Sequence, residues 1–572
     1  MHHNASPAVV TPDATQRLPR WVLLVLAVVY ILPGLLGRDA WKPIDGAALG
    51  VMMELAQGHS SWWSPSLLGQ TAPEAAWLPY WLGAWGIQTL PFLNPITAAR
   101  VPLGLSLALT FAATWYTTYT LARAPLAQPV PFAFGGQAKA TDYARSVADG
   151  GLLGLVACLG LAHMGHESSP HPYAMAAVAA LMLASARLLL PRPQTKLWYW
   201  WGVWWLSAMA LLASGYPGTA TGLGLSSLGL IFSSPAKPTE TSTVTSALTW
   251  KYARSLALLS GLALVIAMWA IAWPHDTPAD TPLASSHLWR WIKTAAWYSW
   301  PAWPLATWAL WRWRRQWRST HLALPALWMC VLSVTAFTAQ EPQRHMLLAL
   351  PVVAPLAAFA LPTLRRSSSA LIDWVSLILF SLTGGLIWFY WLAMQTGYPE
   401  PAARAVARLL PGFEAHFSWF ALLIATALSG AWIWVIRWRT KAHRTALWKG
   451  LVLSAAGTTW CWSMLMSLWL PVLNHGMGYV ALAQSLHRLT ATASCVYTTG
   501  LPSALLSEMV RTGIQPKPTS TATLPDKTCP YWTVGDKASL NGTSLSQWAE
   551  IATVWQITNR AERVRVFQRL GP

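Results

Sequence analysis

The sequence predicts a polytopic α-helical membrane protein with a small α/β domain at its C-terminus. Of its 572 residues, 54% are hydrophobic and only 10% are charged, whereas a soluble domain is usually about 25% charged. Apolar segments close to the roughly 20 residues that a bilayer core requires recur from residue 20 to residue 472. The composition then turns polar. Together these features exclude an ordinary soluble enzyme, a disordered chain and, with five cysteines, a disulfide-framework protein.

Hydropathy predicts about thirteen transmembrane helices between residues 20 and 472. The predicted spans are residues 20–37, 98–122, 148–164, 171–190, 197–214, 217–233, 252–273, 295–312, 320–339, 345–363, 369–394, 417–436 and 449–472. Residues 1–19 form a polar tail, and the first apolar run lacks a small-residue cleavage site, so we expect an uncleaved anchor.

The basic residues indicate the orientation. If the N-terminus is cytoplasmic, the basic residues of the longest runs, Arg312 to Arg318 and Arg437 to Lys449, fall in cytoplasmic loops, as the positive-inside rule requires. This asymmetry explains much of the net charge of +19 without a nucleic-acid partner. The prediction is a bacterial inner-membrane protein with a cytoplasmic N-terminus and a periplasmic C-terminus.

Residues 473–572 are predicted to form the periplasmic α/β domain. Residues 479–491 and 503–511 are predicted helices, and residues 495–499, 531–534, 553–558 and 564–569 are predicted strands. Its only cysteines, Cys495 and Cys529, are expected to pair in an oxidising compartment.

The loop between the first two spans, residues 38–97, is unusually long and carries the candidate chemistry. Two amphipathic or short apolar stretches, 44–55 and 77–90, are predicted to lie as helices in the membrane interface. Asp45 is the candidate base for a sugar transfer at the level of the lipid headgroups. Asp39 and Glu74 are further carboxylates of this loop. The cations proposed to hold a lipid-linked phosphate are Arg38, Lys42, Lys293 and Arg344.

Simpler roles remain open for these residues. Asp45 precedes a predicted helix and fits a helix N-cap, and interfacial lysines and arginines often contact ordinary lipid headgroups. His163 and Glu167 have the i,i+4 spacing of a metal pair, but a solvated loop explains them equally well. The sequence leaves the cofactor unknown, with a divalent metal as one option.

Several motifs in this order resemble the family 39 and aminoarabinose-transferase group of membrane glycosyltransferases. They are GRDAWKPID at residues 37–45, PEAAWL at 73–78, YWLGA at 80–84, LASGYPG at 212–218, WPAWP at 300–304 and QEPQRHMLLALP at 340–351. The resemblance covers nearly the whole chain and implies a GT-C-like fold. It also implies transfer of a sugar from a polyprenyl phosphate to an envelope acceptor, which is lipid A, a glycan or a protein.

By this resemblance, Asp45 matches the aspartate of the family's catalytic loop, Arg344 matches an arginine of the tenth-span motif, and His345 stands where the family has a tyrosine. Two prolines of the pattern are replaced by Ala76 and Trp77, the aspartate expected between the third and fourth spans is His171 or absent, and three further positions depart from the pattern. Gly46 replaces the second acid, Ala75 replaces a lysine, and Ser214 replaces another lysine. Because a hydrogen bond to a charged group contributes roughly 1.5–3 kcal/mol, the loss of two cations weakens the family's way of binding phosphate.

Three functions are therefore weighed. The first is an active lipid-linked sugar transferase. The second is a catalytically degenerate relative that binds polyprenyl lipid or a partner, and Gly46, Ala75 and Ser214 favour it. The third is a transporter, which is disfavoured because neither inverted halves nor mid-span charges are evident.

Overall fold

The structure is a computed structural model. It describes residues 6–132, 137–190, 196–233, 285–339, 341–441, 446–490, 493–519, 528–536 and 547–570, with isolated positions between 259 and 267. Most of the predicted span 252–273 therefore lies outside the described residues.

The part of the chain before residue 478 is almost entirely helical. Its described helices are α1 Arg20–Ile31, α2 Ile44–Ala56, α3 Leu78–Thr89, α4 Pro95–Ala122, α5 Ala140–Ala157, α6 Leu159–Met164, α7 Pro170–Leu189, α8 Leu197–Ala213, α9 Pro217–Ser233, α10 Ser285–Tyr298, α11 Ala302–Arg312, α12 Thr320–Thr338, α13 Pro342–His345, α14 Leu350–Ala358, α15 Arg366–Thr396, α16 Glu400–Leu409, α17 Trp419–Lys441, α18 Lys449–Leu468 and α19 Leu470–Met477.

Seven segments of the described chain are long and apolar enough to cross a membrane: Pro95–Ala122, Pro170–Leu189, Thr320–Thr338, Pro342–Thr363, Ser367–Thr396, Trp419–Thr440 and Lys449–Leu468. The other predicted spans that fall in the described ranges are shorter or interrupted. The third is broken between α5 and α6 at Cys158, and the eighth is broken between α10 and α11 at Trp300 and Pro301. The structure is that of a multi-pass membrane protein, while the count of thirteen stays a prediction.

The helices form a central bundle and a lipid-facing edge. α4, α5, α7, α14 and α18 are largely buried and supply most of the core. α15 and α17 have many exposed apolar side chains, including Trp374, Leu382, Phe420 and Leu423. Exposed apolar rows of this kind require a lipid environment, because water would penalise them by roughly 25 cal/mol for each Å².

The loop between α1 and α4 folds into a compact layer on one end of the bundle. It contains α2, a short hairpin of β1 Ser66–Leu67 with β2 Gln70–Thr71, and α3. α2 was predicted to lie in the membrane interface, but protein covers it on nearly all sides, because it packs against α3 and against the C-terminal domain. Gly50 permits this approach, since a Cβ there would stand 2.6 Å from Ser507 Oγ.

The C-terminal domain has the predicted α/β composition. α20 Val480–Leu489 and α21 Ser503–Arg511 accompany a five-stranded mixed sheet in the order β4-β3-β5-β7-β6. The strands are β3 Val496–Thr499, β4 Pro516–Pro518, β5 Tyr531–Gly535, β6 Trp548–Gln556 and β7 Asn559–Arg569. β4 was not predicted, because its two prolines disfavour a strand except at an edge, which is where it lies. The structure contains the disulfide between Cys495 and Cys529.

The C-terminal domain is joined to the first loop by polar contacts. Lys42 Nζ lies 3.3 Å from Glu562 Oε2, and Tyr479 Oη donates to the same oxygen at 3.0 Å. Asn474 of α19 accepts a hydrogen bond from the backbone N–H of Asp39 at 3.0 Å. The domain therefore fixes the position of the loop that carries the predicted site.

Candidate functional site

Asp45 is the centre of a buried ionic cluster. Its Oδ2 atom accepts hydrogen bonds from Arg38 Nη2 at 2.8 Å, Arg100 Nη2 at 2.9 Å and the backbone N–H of Trp41 at 3.1 Å. Its Oδ1 atom accepts from the backbone N–H of Ser168 at 2.6 Å. The cluster thus ties the start of α2 to α4 and to the α6–α7 loop.

This environment differs from that of the predicted catalytic base. Burial alone would raise the pKa of Asp45, but the guanidinium groups of Arg100 and Arg38, with the N–H groups of Ser168 and Trp41, hold that pKa well below its usual range. A carboxylate with four donors and a depressed pKa is a poor proton acceptor. Asp45 is not a helix N-cap either, because it lies inside α2, whose N-terminus has no side-chain cap.

Arg100 is a site residue that the sequence interpretation missed. It lies in α4, is fully buried, and donates to Asp45, to the backbone oxygens of Arg38 and Asp39, and to Ser168 Oγ. A signal was available, because an arginine inside the predicted apolar span 98–122 requires buried partners. Arg100 fixes the main chain of the first loop before α2 begins.

Arg344 is the centre of a second ionic cluster. Its Nε donates to Glu167 Oε2 at 3.2 Å, and its Nη1 donates to Glu341 Oε2 at 2.9 Å. The side chain is only 10% exposed. Burial raises the pKa of Glu167, and the nearby Arg344 partly offsets that effect. One of these carboxylates, Glu341, also lines a cavity, so the guanidinium is held beside that cavity.

That cavity, which we call the polar pocket, has a volume of about 360 Å³. It lies between the first loop, the start of α7, the α8–α9 turn and the end of α12. Its polar lining includes Glu74, His171, Tyr216, Glu341 and His345. His345 Nε2 is 3.2 Å from Thr219 Oγ1, and its ring meets Tyr216 edge-on at 5.0 Å.

An apolar cavity of about 270 Å³, here called the apolar groove, adjoins the polar pocket. Its lining comes from α10, α12, α14 and the segment Met346–Ala349, with residues such as Trp291, Leu332, Met346 and Val353. α12 supplies Leu332 and Ala336 to the groove and Thr335 and Thr338 to the pocket. The two cavities therefore share α12, and the consecutive residues His345 and Met346 line the pocket and the groove respectively.

The predicted phosphate-binding cations do not all meet in one place. Arg38 is buried and donates hydrogen bonds to Asp45 and to the backbone oxygen of His166, and Lys42 pairs with Glu562 of the C-terminal domain. Lys293 is exposed on α10 and forms no ion pair with any residue that the structure describes. Of the predicted set, His345 lines the polar pocket, and Arg344 lies beside it through its ion pair with the pocket residue Glu341. Sequence spacing could not distinguish an arginine buried in a structural ion pair from one that lies beside the pocket.

The predicted metal pair is not assembled. Glu167 is committed to Arg344, and His163 stacks on Trp41 with ring centroids 5.9 Å apart. Within the described ranges, no group of three or more histidine, cysteine, aspartate or glutamate side chains is placed to hold a metal ion.

The three departures from the family pattern have local explanations. A Cβ on Gly46 would stand 3.0 Å from the Cβ of Ala504 in α21, so the acid expected there has no room. Ser214 is buried and donates to the backbone oxygen of Ala210 at 2.7 Å. Ala75 is exposed beside Gly215. None of these positions supplies a charge to the pocket.

The architecture and site define a class: a multi-pass membrane protein whose first loop packs against a C-terminal α/β domain and contributes Pro73 and Glu74 to a polar pocket of the helical bundle. No family model matches the sequence, and no curated protein matches it. The chain is similar in structure to ArnT from Cupriavidus metallidurans, both bound to undecaprenyl phosphate and in the apo state.

The two ArnT structures superpose with TM-scores of 0.60 and 0.58 at 14% identity, covering 96% of this chain and 98% of theirs. The predicted GT-C-like polytopic fold and the resemblance to the aminoarabinose-transferase group are thus confirmed at the level of the fold.

Proposed function

We propose that this protein is a membrane glycosyltransferase that takes a sugar from a polyprenyl-phosphate donor. The observation that carries the proposal is that the apolar groove and the polar pocket lie on either side of one segment, in which Met346 lines the groove, His345 lines the pocket, and Arg344 pairs with the pocket residue Glu341. A polyprenyl phosphate has an apolar chain attached to an anion, and the two cavities offer an apolar wall and then a guanidinium in that order. One ArnT structure of the same fold holds undecaprenyl phosphate.

In this proposal, the groove receives the prenyl chain and Arg344 binds the phosphate. The polar pocket receives the sugar, where Tyr216 and His345 present aromatic edges and hydrogen-bonding atoms. The Asp45 cluster has a positioning role, because it joins the first loop to α4 and the α6–α7 loop. The acceptor is an envelope glycolipid, glycan or protein that reaches the sugar in the polar pocket.

We also propose the orientation that charge predicts: an inner-membrane protein with its N-terminus in the cytoplasm and its C-terminal domain in the periplasm. The disulfide supports this placement, since disulfides persist in the periplasm and are rare in the cytosol. Modification of engineered single cysteines by an impermeant thiol reagent in intact cells would test it.

The transferase is tested by incubating purified protein with a panel of undecaprenyl-phosphate-linked pentoses and hexoses and an extract of envelope glycolipids. Release of undecaprenyl phosphate together with a glycosylated acceptor is the expected result. Undecaprenyl phosphate should also bind, and Arg344→Gln should weaken that binding. Absence of both turnover and binding would contradict the proposal.

A degenerate lipid-binding relative is the second candidate, and the charge of the pocket favours it. Ala75 and Ser214 stand where the resemblance expects lysines, which leaves Arg344 as the only Lys or Arg identified beside the pocket in the described chain. Undecaprenyl phosphate binding without turnover of any donor would support this reading and exclude the enzyme.

A further inference from the structure

We propose that Glu74 is the general base of the transfer and that it removes the proton of the acceptor in the polar pocket beside Arg344. This inference rests on the proposed transferase function and names the group that performs its proton transfer. Glu74 immediately precedes Ala75, which stands where the resemblance to the aminoarabinose-transferase group predicts a lysine.

The main chain around Glu74 is held against the α8–α9 turn. The backbone N–H of Trp77 donates to the Ala213 oxygen at 2.8 Å, and Tyr80 Oη donates to the Glu74 backbone oxygen at 3.4 Å. Gly215 has a φ of +89°, and a Cβ there would stand 2.7 Å from the Ala75 oxygen. The loop and the turn are thus in close contact, which fixes where the Glu74 side chain begins.

The carboxylate of Glu74 lines the polar pocket and is free to accept a proton. Among the described residues, none donates a hydrogen bond to its side-chain oxygens. The other carboxylates near the pocket are committed: Glu167 and Glu341 both bind Arg344. Asp45 is saturated by its four donors. Glu74 is therefore the carboxylate whose geometry suits proton abstraction.

The surroundings also adjust the basicity of Glu74. Burial raises its pKa, the Arg344 guanidinium opposes that rise, and Glu341 and Glu167 reinforce it. Tyr80 and Tyr216 face the same carboxylate, and His171 and His345 line the same pocket. A base is most effective when its pKa approaches the working pH, so a raised pKa suits this role.

The transfer is balanced as follows. The acceptor oxygen or nitrogen forms a bond to the anomeric carbon of the sugar as the bond from that carbon to the phosphate oxygen breaks. The acceptor proton passes to the Glu74 carboxylate. The electron pair of the broken bond leaves with polyprenyl phosphate, whose added negative charge is stabilised by Arg344. Glu74 then releases its proton to solvent and is ready for another turnover.

The test compares Glu74→Gln, Glu74→Asp and a matched control, Glu54→Gln, in the full-length protein. Glu54 belongs to the same loop and its pKa is also raised by burial, but it lines a different cavity between α2 and α21. Three quantities are measured for each protein: kcat/KM with the undecaprenyl-phosphate donor panel across pH, the affinity for undecaprenyl phosphate, and the unfolding temperature.

We expect Glu74→Gln to lose about 10²–10⁴-fold in kcat/KM, the usual contribution of a general base. Its affinity for undecaprenyl phosphate should stay the same or increase, because a negative charge beside the phosphate site is removed. In the wild type, kcat/KM should rise with pH as Glu74 ionises, and this rise should disappear in Glu74→Gln. Glu74→Asp should keep part of the activity, and Glu54→Gln should match the wild type.

Each failure has a distinct meaning. If the wild type transfers sugar and Glu74→Gln is equally active, the assignment of Glu74 is overturned and the transferase stands. If Glu74→Gln loses activity together with phosphate affinity or folding, Glu74 is structural and the assignment is again overturned. If the wild type transfers from no donor, the proposed function and the base fall together.

Discussion

Replacing Asp45 with asparagine should destabilise the folded protein rather than selectively remove its chemistry. The change keeps the side-chain shape and removes the negative charge that compensates Arg38 and Arg100, whose side chains are both 0% exposed. Removing one partner of a buried ion pair costs about 3–5 kcal/mol, because the remaining charge stays buried without compensation. Since a folded domain is stable by only about 5–15 kcal/mol, this is a large fraction of the total.

The assay is unfolding of the purified protein by heat or denaturant in the same detergent or nanodisc. Asp142→Asn is the matched control, because Asp142 forms an exposed pair with Arg145 at 3.5 Å, and such pairs contribute about 0–1 kcal/mol. We expect a large loss of stability for Asp45→Asn and almost none for Asp142→Asn.

The pH dependence follows from the sign of the shift. The pKa of Asp45 is lower in the folded protein than the roughly 3.9 of an unfolded aspartate. The stabilisation is therefore fully present above that unfolded value and is lost as the pH falls through the folded pKa. The wild type and Asp45→Asn should differ by a constant amount at neutral pH and converge in strong acid. An Asp45→Asn protein as stable as the wild type but inactive would refute this reasoning and restore Asp45 as the base.

Three further results are expected. Arg344→Gln should weaken undecaprenyl phosphate binding by roughly 10- to 100-fold, which corresponds to the loss of one charge-assisted contact of about 1.5–3 kcal/mol. The affinity is measured by a lipid-binding titration, and an unchanged value would contradict the proposed binding of the phosphate by Arg344. Lys42→Met should change donor affinity less than twofold, because Lys42 faces Glu562; a tenfold loss would show that the lysine reaches the donor. Cys495→Ser should destabilise the C-terminal domain by about 4 kcal/mol, which is the chain-entropy value for a disulfide that joins residues 34 apart in sequence. Differential scanning calorimetry with and without reductant measures this loss of stability. An unchanged unfolding transition would refute the prediction.

Much of the fold was predictable from sequence because the bilayer imposes a strong local constraint. A span must be apolar over about 20 residues and must satisfy its own backbone hydrogen bonds. Both requirements produce local patterns that can be recognised in the sequence. The helices and most strands of the C-terminal domain were predictable for a similar reason, since their alternation of apolar and polar residues is local. The pairing of Cys495 with Cys529 followed from their being the only two cysteines of that domain.

The site depended on contacts that no local pattern records. Spacing placed Asp45, Arg38 and Lys42 together in a loop, and only the tertiary structure showed that Arg100 and Ser168 arrive from elsewhere to saturate Asp45. Burial and charge partners decide whether a carboxylate is a base or an anchor, and both are properties of the surroundings rather than of the residue.

The sequence by itself therefore determined the membrane architecture, the predicted orientation and the presence of a carboxylate-bearing loop, because hydropathy and charge act residue by residue. The tertiary structure decided which of those charges are committed. It paired the buried Asp45 with two arginines, directed Lys42 to the C-terminal domain and left Glu74 in the polar pocket, with Arg344 held beside the pocket by Glu167 and Glu341. That division arises because the energy of an ionised group depends on its distance to other charges and to water, and those distances are set only when distant segments pack together.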